Sequence, residues 1–404
     1  MKIGINASFL RKPETGIGQV TANFLEKLAE YRMQNIEFRK ESEKSTFNIQ
    51  HATFILYTQE SVAPEWSGNF EVKVFLPWWK RDDVPRQRLW EKQVAHEAMK
   101  DGCDVFLSLY QSATVFPSSK TGNQKSSPRH VMIVHDIIPK LFPEYQSTLS
   151  RRWHWRGIER GIRGADHIVA VSQSTREDIE THLGIASERI SVAAPGLSPV
   201  FAAPASDEQV SETLARYGLE RGYIYHGGGL EIRKNAQAVL EAYALLRGDR
   251  AAAQVPPLVI SGQVHEETNP LATDVVRLIA ELGLGDVVRL LGRVPEADLP
   301  PLYRGAGLFV YPSLYEGFGL PPVEAFSQST PVITSRISSL PEVCGDAAIL
   351  IDDPKEPEEI EVAMRRLLND ESLRSELGER GYRRAQDFSY DRFAREIIKQ
   401  CSSL

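Results

Sequence analysis

Tyr311-Pro312-Ser313-Leu314-Tyr315-Glu316-Gly317-Phe318-Gly319-Leu320-Pro321-Pro322-Val323-Glu324-Ala325 reads as the end of a strand, a glycine-containing loop and the start of a helix. Proline suits the first turn of a helix, where its missing N–H is not needed. This order puts backbone N–H groups and a positive helix end at the carboxyl edge of a sheet, where nucleotide phosphates and sugars bind in open α/β folds. Glu316 falls in the loop and Glu324 in the first helical turn. There the helix dipole favours an anion, and a carboxylate accepts hydrogen bonds from a vicinal diol such as a ribose. Either glutamate alone also reads as a helix cap or a solvent-facing side chain.

A second stretch of the same kind lies upstream, His226-Gly227-Gly228-Gly229-Leu230-Glu231-Ile232-Arg233-Lys234-Asn235. It follows a strand and opens a helix, so its glycines can bring backbone against a pyrophosphate while the two cations neutralise it. Cations at a positive helix end are unfavourable unless an anion is bound. The alternative is a solvated Arg-Lys pair. A nicotinamide-binding turn would show Gly-x-Gly-x-x-Gly and an acid about 20 residues later, and the basic pair argues against it.

Outward from these stretches, short β-branched runs alternate with amphipathic segments along nearly all 404 residues, the pattern of parallel α/β layers. Strands are expected at Lys2–Asn6, Thr53–Thr58, Val72–Leu76, Val105–Leu109, His130–His135, His167–Ser172 and Ile190–Ala194, and again from Tyr223–His226 to Ala348–Ile351. In the expected helix Ala236–Leu246, Val239, Leu240, Tyr243 and Leu246 share one face, which should lie against a sheet. Ser174 with Glu177 reads as a capping box. Length and the Ala/Pro/Ser/acid-rich stretch at 201–212 suggest an amino-terminal domain over 1–200, a linker over 201–212 and a carboxyl-terminal domain over 213–387. Residues 118–129 read as a surface loop. All six tryptophans fall within the first 155 positions, so the halves should do different work.

With 42% hydrophobic residues, 25% charged residues and a net charge of −7, the chain can bury real cores and is a poor candidate for sequence-independent nucleic-acid binding. No run approaches the roughly 18 apolar residues of a membrane span, and the start shows no secretory signal pattern. Cys103, Cys344 and Cys401 form neither a disulfide framework nor a metal-ligand cluster. A cytoplasmic location is expected. Walker A, His-Glu-x-x-His, Gly-x-Ser-x-Gly and Asp-x-Asp patterns do not occur. Arg151-Arg152-Trp153-His154-Trp155-Arg156, continuing to Arg160 and Arg163, carries a basic and aromatic character that Trp78-Trp79-Lys80-Arg81 shares. It suits anionic lipid headgroups or a pyrophosphate-bearing acceptor. It reads equally as an amphipathic helix with tryptophan buried and arginine solvated.

Two glutamates seven residues apart within Glu-Gly-Phe-Gly-Leu-Pro-Pro-Val-Glu-Ala resemble the paired-glutamate motif of retaining, nucleotide-sugar-dependent glycosyltransferases of family 4. Gly16-Ile17-Gly18 resembles that family's glycine loop before the first helix, and His135-Asp136 its amino-terminal His-Asp signature. Leu291-Gly292-Arg293-Val294 and Leu340-Pro341-Glu342-Val343 are similar to carboxyl-terminal signatures.

The resemblance implies the GT-B architecture, two Rossmann-like doubly wound parallel-sheet domains facing each other across a cleft, with residues 388–404 crossing back to the amino-terminal domain. It implies a site in which His135 contacts the donor sugar, Lys234 holds the diphosphate and Glu316 lies near the sugar; Arg233, a planar fork suited to phosphate oxygens, is the expected second cation. Gly229 stands where many members have an arginine. Gly16, Gly18, Gly228, Gly229, Arg293, Val294, Gly317, Phe318, Gly319 and Leu320 would contact the donor, and Glu324 its ribose. It further implies retention of anomeric configuration without a metal ion. The strings look most like bacterial cell-surface polysaccharide mannosyltransferases, so GDP-mannose is the expected donor and a glycan or lipid-linked oligosaccharide the acceptor. UDP-sugars, other GDP-sugars and a non-catalytic glycan-binding protein are the alternatives.

Overall fold

The computed structural model describes residues 1–12, 15–34, 36–39, 46–60, 68–75, 84–117, 127–248, 255–264 and 269–403. Trp66, Trp78, Trp79, Lys80, Arg81 and most of the loop expected at 118–129 lie outside the described residues. The chain divides into two compact units, Met1–Gly196 with Ser389–Leu404, and Leu197–Phe388.

The first unit is built on seven parallel strands in the order β5-β4-β1-β6-β7-β8-β9. They are β1 (Lys2–Asn6), β4 (Thr53–Thr58), β5 (Glu71–Val74), β6 (Val105–Ser108), β7 (Arg129–Val134), β8 (His167–Ala170) and β9 (Ile190–Val192). A separate antiparallel pair, β2 (Glu37–Arg39) and β3 (Thr46–Asn48), stands apart from this sheet. β1 runs in register with β4 from Lys2 opposite Thr53 to Asn6 opposite Tyr57. β6 is buried at all four positions without alternation, as expected where helices cover both faces of a parallel sheet. The closing helix Tyr390–Ser403 belongs to this unit, with Phe393, Ala394, Ile397 and Ile398 buried. Tyr31, in the helix Gly16–Met33, donates to the Asp391 carboxylate at 2.8 Å.

The second unit carries six parallel strands in the order β12-β11-β10-β13-β14-β15. They are β10 (Ile224–His226), β11 (Leu258–Ser261), β12 (Val288–Gly292), β13 (Leu308–Tyr311), β14 (Val332–Ser335) and β15 (Ala348–Ile351). Strands are laid down outward from β10 on one side, then from β13 on the other, so the order reverses between β10 and β13. A crevice outside the carboxyl ends of the strands opens at such a reversal. Val239, Leu240, Tyr243 and Leu246 of the helix Ala236–Gly248 are fully buried with Leu258, Leu308, Val310 and Ile333, the sheet contact that their spacing predicted.

Several expectations need correction. Residues 201–212 are folded: Phe201 is buried, and the helix Asp207–Tyr217 opens with a capping box between Ser206 and Gln209. Capping chemistry in that polar stretch was misread as linker composition. The helix Gln173–Leu183 is capped by Ser172, whose side chain accepts from the Thr175 amide, so Ser174 with Glu177 is not the cap. Helices Leu299–Gly305 and Glu371–Ala385 went unpredicted. The first opens on Pro300-Pro301, which reads as a breaker but is tolerated in a first turn.

Candidate functional site

In the second unit the loops after β10 and β13 are clasped together. The Leu314 amide and the Ser313 hydroxyl both donate to the Arg233 carbonyl, at 2.7 and 2.9 Å. Asn235, in the left-handed conformation at φ 63°, donates to the Pro312 carbonyl. Gly228 sits at φ +88°, and a Cβ there would lie 2.9 Å from Pro321 and 3.0 Å from Tyr311, so only glycine passes.

This clasp gathers Glu316, Lys234 and Arg233 around one carboxylate. Glu316 accepts from Lys234 Nζ at 2.8 Å, Arg233 at 2.7 Å, Ser313 Oγ at 2.6 Å and Tyr311 OH at 2.8 Å. Lys234 and Glu316 are each only 6% exposed, which removes the reading of a solvated Arg-Lys pair. Burial pushes the Glu316 carboxyl up, but Lys234 and Arg233 outweigh it and hold the group at about 2. Burial lowers Lys234, partly opposed by Glu316. Arg233 also pairs with Glu231 at 2.8 Å. The four charges sum to zero, so the site is self-neutralised. An ammonium has three N–H bonds. Among the described residues two are engaged, by Tyr311 and Glu316, which leaves one to meet an added anion.

The helix after the loop, Leu320–Ser327, differs from its sequence reading in two ways. Its first turn contains Pro321 and Pro322, which carry no N–H, so its start offers the Gly319 and Leu320 amides rather than a full set. Glu324 lies in the second turn, beyond the reach of the terminal dipole. Its surroundings act the opposite way: burial, with a smaller contribution from Glu296, pushes its carboxyl up to about 7 against a hydrogen bond from Tyr303. Tyr303 OH donates to Glu324 Oε2 at 2.9 Å. Tyr303 and Tyr311 pack either side of Phe309, with centroids 5.0 and 5.7 Å away, so each motif glutamate is held by a buried tyrosine of one aromatic row.

Gly317, Phe318 and Gly319 complete the loop. Ser339 Oγ donates to the Glu316 and Phe318 carbonyls, and Ser338 Oγ accepts from the Glu316 amide. Gly319 adopts φ +98° against Leu340. Exposed Arg293 and half-buried Val294 follow β12 at the same carboxyl edge, and Gly229 lies open beside Gly228 at φ +104°. Sequence reading missed Tyr303, Tyr311, Ser313 and the Ser338-Ser339 pair. Only the strand-end position of Tyr311 could have signalled any of them.

The first unit holds its own polar edge. His135 Nε2 lies 3.0 Å from the Leu109 carbonyl, so Nε2 carries the proton and, in the neutral ring, Nδ1 is an acceptor. Burial lowers its pKa, partly opposed by that carbonyl. Gly16 and Gly18 sit within the first turn of the helix Gly16–Met33, capped by Thr15, rather than in a loop before it. Tyr110 OH donates to Glu91 and accepts from Asn6 and Gln87, joining residues from β1, the segment after β6 and the helix Val84–Lys100. On the helix Leu149–Gly164, Trp155 is buried while Leu149 is 82% and Trp153 55% exposed, and the Arg88 guanidinium stacks 3.4 Å from the Trp153 ring centroid. Among the described residues, no helix is long and apolar enough to cross a membrane.

Two parallel-sheet units, the second with glycine-rich loops at a strand reversal, make a doubly wound α/β architecture, and comparison with known proteins says which family uses it here. Residues 217–384 match the family "Glycosyl transferases group 1" and residues 52–201 "Glycosyltransferase Family 4". The chain is 35% identical over 272 residues to "O-antigen chain mannosyltransferase B" of Escherichia coli, covering 67% of this chain and 69% of that one. It is 31% identical to "Serotype-specific mannosyltransferase WbdA" of Escherichia coli over 67% of this chain, spanning only 33% of that longer protein. Among solved structures it resembles WaaG, "a glycosyltransferase involved in lipopolysaccharide biosynthesis", with TM-score 0.72 at 17% identity over 99% of both chains. It also resembles Anabaena Alr3699/HepE in complex with UDP and glucose, with TM-score 0.71 at 19% identity over 100% of this chain and 99% of that one. The chain belongs to these GT-B glycosyltransferases and is a hexosyltransferase.

Proposed function

We propose that this protein transfers mannose from GDP-mannose, with retention of configuration, to a glycan or lipid-linked oligosaccharide of a cell-surface polysaccharide. The supporting observation is the buried Lys234–Glu316–Arg233 cluster at the strand reversal, in a chain whose relatives include O-antigen mannosyltransferases. As the glycosidic bond breaks, negative charge grows on the diphosphate. Lys234, Arg233 and the loop amides are fixed in place to meet it, in place of a metal ion. That stabilisation accelerates transfer only where it exceeds stabilisation of the bound donor. Glu324 offers its second oxygen to the ribose, and Gly317–Leu320 position the sugar. His135 would accept a sugar hydroxyl through Nδ1. The Leu149–Gly164 face, with exposed Leu149, Trp153, Arg151, Arg152 and Arg156, supplies peripheral contact with anionic lipid.

The test is GDP release from GDP-mannose in the presence of acceptor. Lys234→Ala should lower kcat about 100- to 1000-fold, as loss of one preorganised donor does elsewhere. Full turnover by both Lys234→Ala and Glu324→Ala sinks the assignment. Sedimentation with anionic liposomes that survives charge reversal at Arg151, Arg152 and Arg156 removes the lipid contact.

A further inference from the structure

At the carboxyl edge of the first unit's sheet, one buried carboxylate holds a stretch of chain that has no ladder of its own. Residues 109–114, which leave β6 at its carboxyl end, belong to neither a strand nor a helix. Buried backbone outside a ladder pairs with side chains or water. Glu91, on the helix Val84–Lys100 and only 1% exposed, supplies such a partner. Its Oε2 accepts from the Ala113 amide at 2.9 Å, and its Oε1 from Tyr110 OH at 3.1 Å and Gln87 at 3.2 Å. Tyr110 OH lies 3.1 Å from Ser8 Oγ and accepts from Asn6, which ties the same stretch to the end of β1. The neighbouring Trp90 is fully buried and stacks on Phe75 with centroids 5.1 Å apart, so the helix carrying Glu91 is itself anchored. From the other side the helix Leu149–Gly164 closes on the stretch: a Cβ on Gly161 would collide with the Ser112 carbonyl oxygen.

The held stretch in turn holds His135. The Leu109 carbonyl accepts from Nε2 at 3.0 Å, and Gln111 Oε1 accepts from the His135 amide at 3.1 Å. Ring tautomer and backbone are both set by residues interleaved with Tyr110 and Ala113, the two that Glu91 grips. A buried carboxylate is a costly choice for packing alone. Burial pushes the Glu91 carboxyl up to about 7, against the bonds from Ala113, Gln87 and Tyr110 and the Arg88 charge. An amide of the same shape accepts at one end only, whereas this position accepts at both.

We infer that Glu91 is a positioning residue for transfer: by gripping Tyr110 and Ala113 it fixes the Leu109–Gln111 seat of His135 and so aims Nδ1 at the transferred sugar. This rests on the reading that His135 accepts a sugar hydroxyl, and deepens it. Buried Glu91 acts through that seat. Misplacing a group by about 1 Å from a distance costs of order 100-fold in rate. GDP carries no sugar, so its binding is independent of the seat.

The experiment follows GDP release from GDP-mannose at pH 8, by transfer to methyl α-mannoside or, failing that, to water. It compares the unaltered chain, Glu91→Gln, His135→Ala and the double variant, beside calorimetric titration of each with GDP. Glu91→Gln keeps the side-chain volume but turns an N–H towards one of the donors. Its kcat/KM for GDP-mannose should fall about 10- to 100-fold, with GDP affinity within about twofold. The double variant should match the slower single variant within about threefold, because residues acting as one unit are not additive. Tyr110→Phe removes one of the Glu91 bonds and should show a smaller loss of the same kind. It takes the place of Glu91→Gln in the cycle if circular dichroism shows that variant unfolded. Losses that multiply in the double variant, an equal fall in GDP affinity, or full turnover by the folded variant overturn the inference. Full turnover by His135→Ala instead overturns the underlying reading, and the inference with it.

Discussion

Glu316→Gln should destabilise the carboxyl-terminal unit and remove a large part of its acid sensitivity. The substitution keeps shape but leaves buried Lys234 and half-buried Arg233 without their shared counter-charge. Breaking a buried ion pair from one side costs about 3–5 kcal/mol. A second route gives a similar figure. The Glu316 carboxyl sits at about 2 against an ordinary 4.5, and at about 1.4 kcal/mol per pH unit the difference is about 3 kcal/mol. Because the folded value is depressed, this stability is fully present above pH 4.5 and is lost as pH falls towards 2. For a unit of this size each kcal/mol moves the melting temperature about 2–4 °C, so the variant should melt roughly 6–20 °C lower at pH 7. Scanning calorimetry from pH 2 to 7 checks both parts. A variant within 2 °C of the unaltered protein at pH 7, or one keeping the same loss of stability below pH 4.5, would refute the idea that this cluster is an ionised, mutually dependent unit.

Glu324 behaves in the opposite sense. Its folded value of about 7 is raised above 4.5, so its contribution favours folding at low pH and fades as pH rises from 4.5 through 7. Glu324→Gln should flatten that segment of the melting-temperature profile and weaken nucleotide binding at pH 8. Tyr303→Phe removes the hydrogen bond that lowers the Glu324 value, so the pH midpoint for GDP binding should move above 7, read by titration between pH 6 and 9. Gly228→Ala must place a Cβ 2.9 Å from Pro321 at φ +88°, and should cost about 1–3 kcal/mol in thermal unfolding together with reduced GDP affinity. Unchanged melting and binding would show that the two loops are not rigidly clasped.

Much of this molecule is legible along the chain because the relevant physics is local. Runs such as Leu258–Ser261 and Leu308–Tyr311 are short, rich in β-branched and aromatic residues and bounded by turn residues, so they read as buried strands. The spacing of Val239, Leu240, Tyr243 and Leu246 fixes a buried helix face, and Gly228 and Gly319 mark positions where backbone must turn or pass closely. Glu316, Lys234 and Arg233 stand out in the sequence as a loop acid and a basic pair beside glycine-rich turns.

Folding decided what those motifs could not state. Lys234 and Glu316 lie 82 positions apart, and only the clasp between the loops after β10 and β13 makes each the counter-ion of the other. Local dipole reasoning made Glu324 a stabilised anion, but burial beside Tyr303 and Glu296 raises its proton affinity instead. Tyr303 lies outside every motif, and neither it nor Tyr311 announces its carboxylate partner, because where a hydroxyl points depends on how the chain folds around it. Sequence spacing thus determined which residues are buried and where the chain turns. Ionisation and hydrogen bonding depend on distance and solvent in three dimensions, and only the tertiary structure set those.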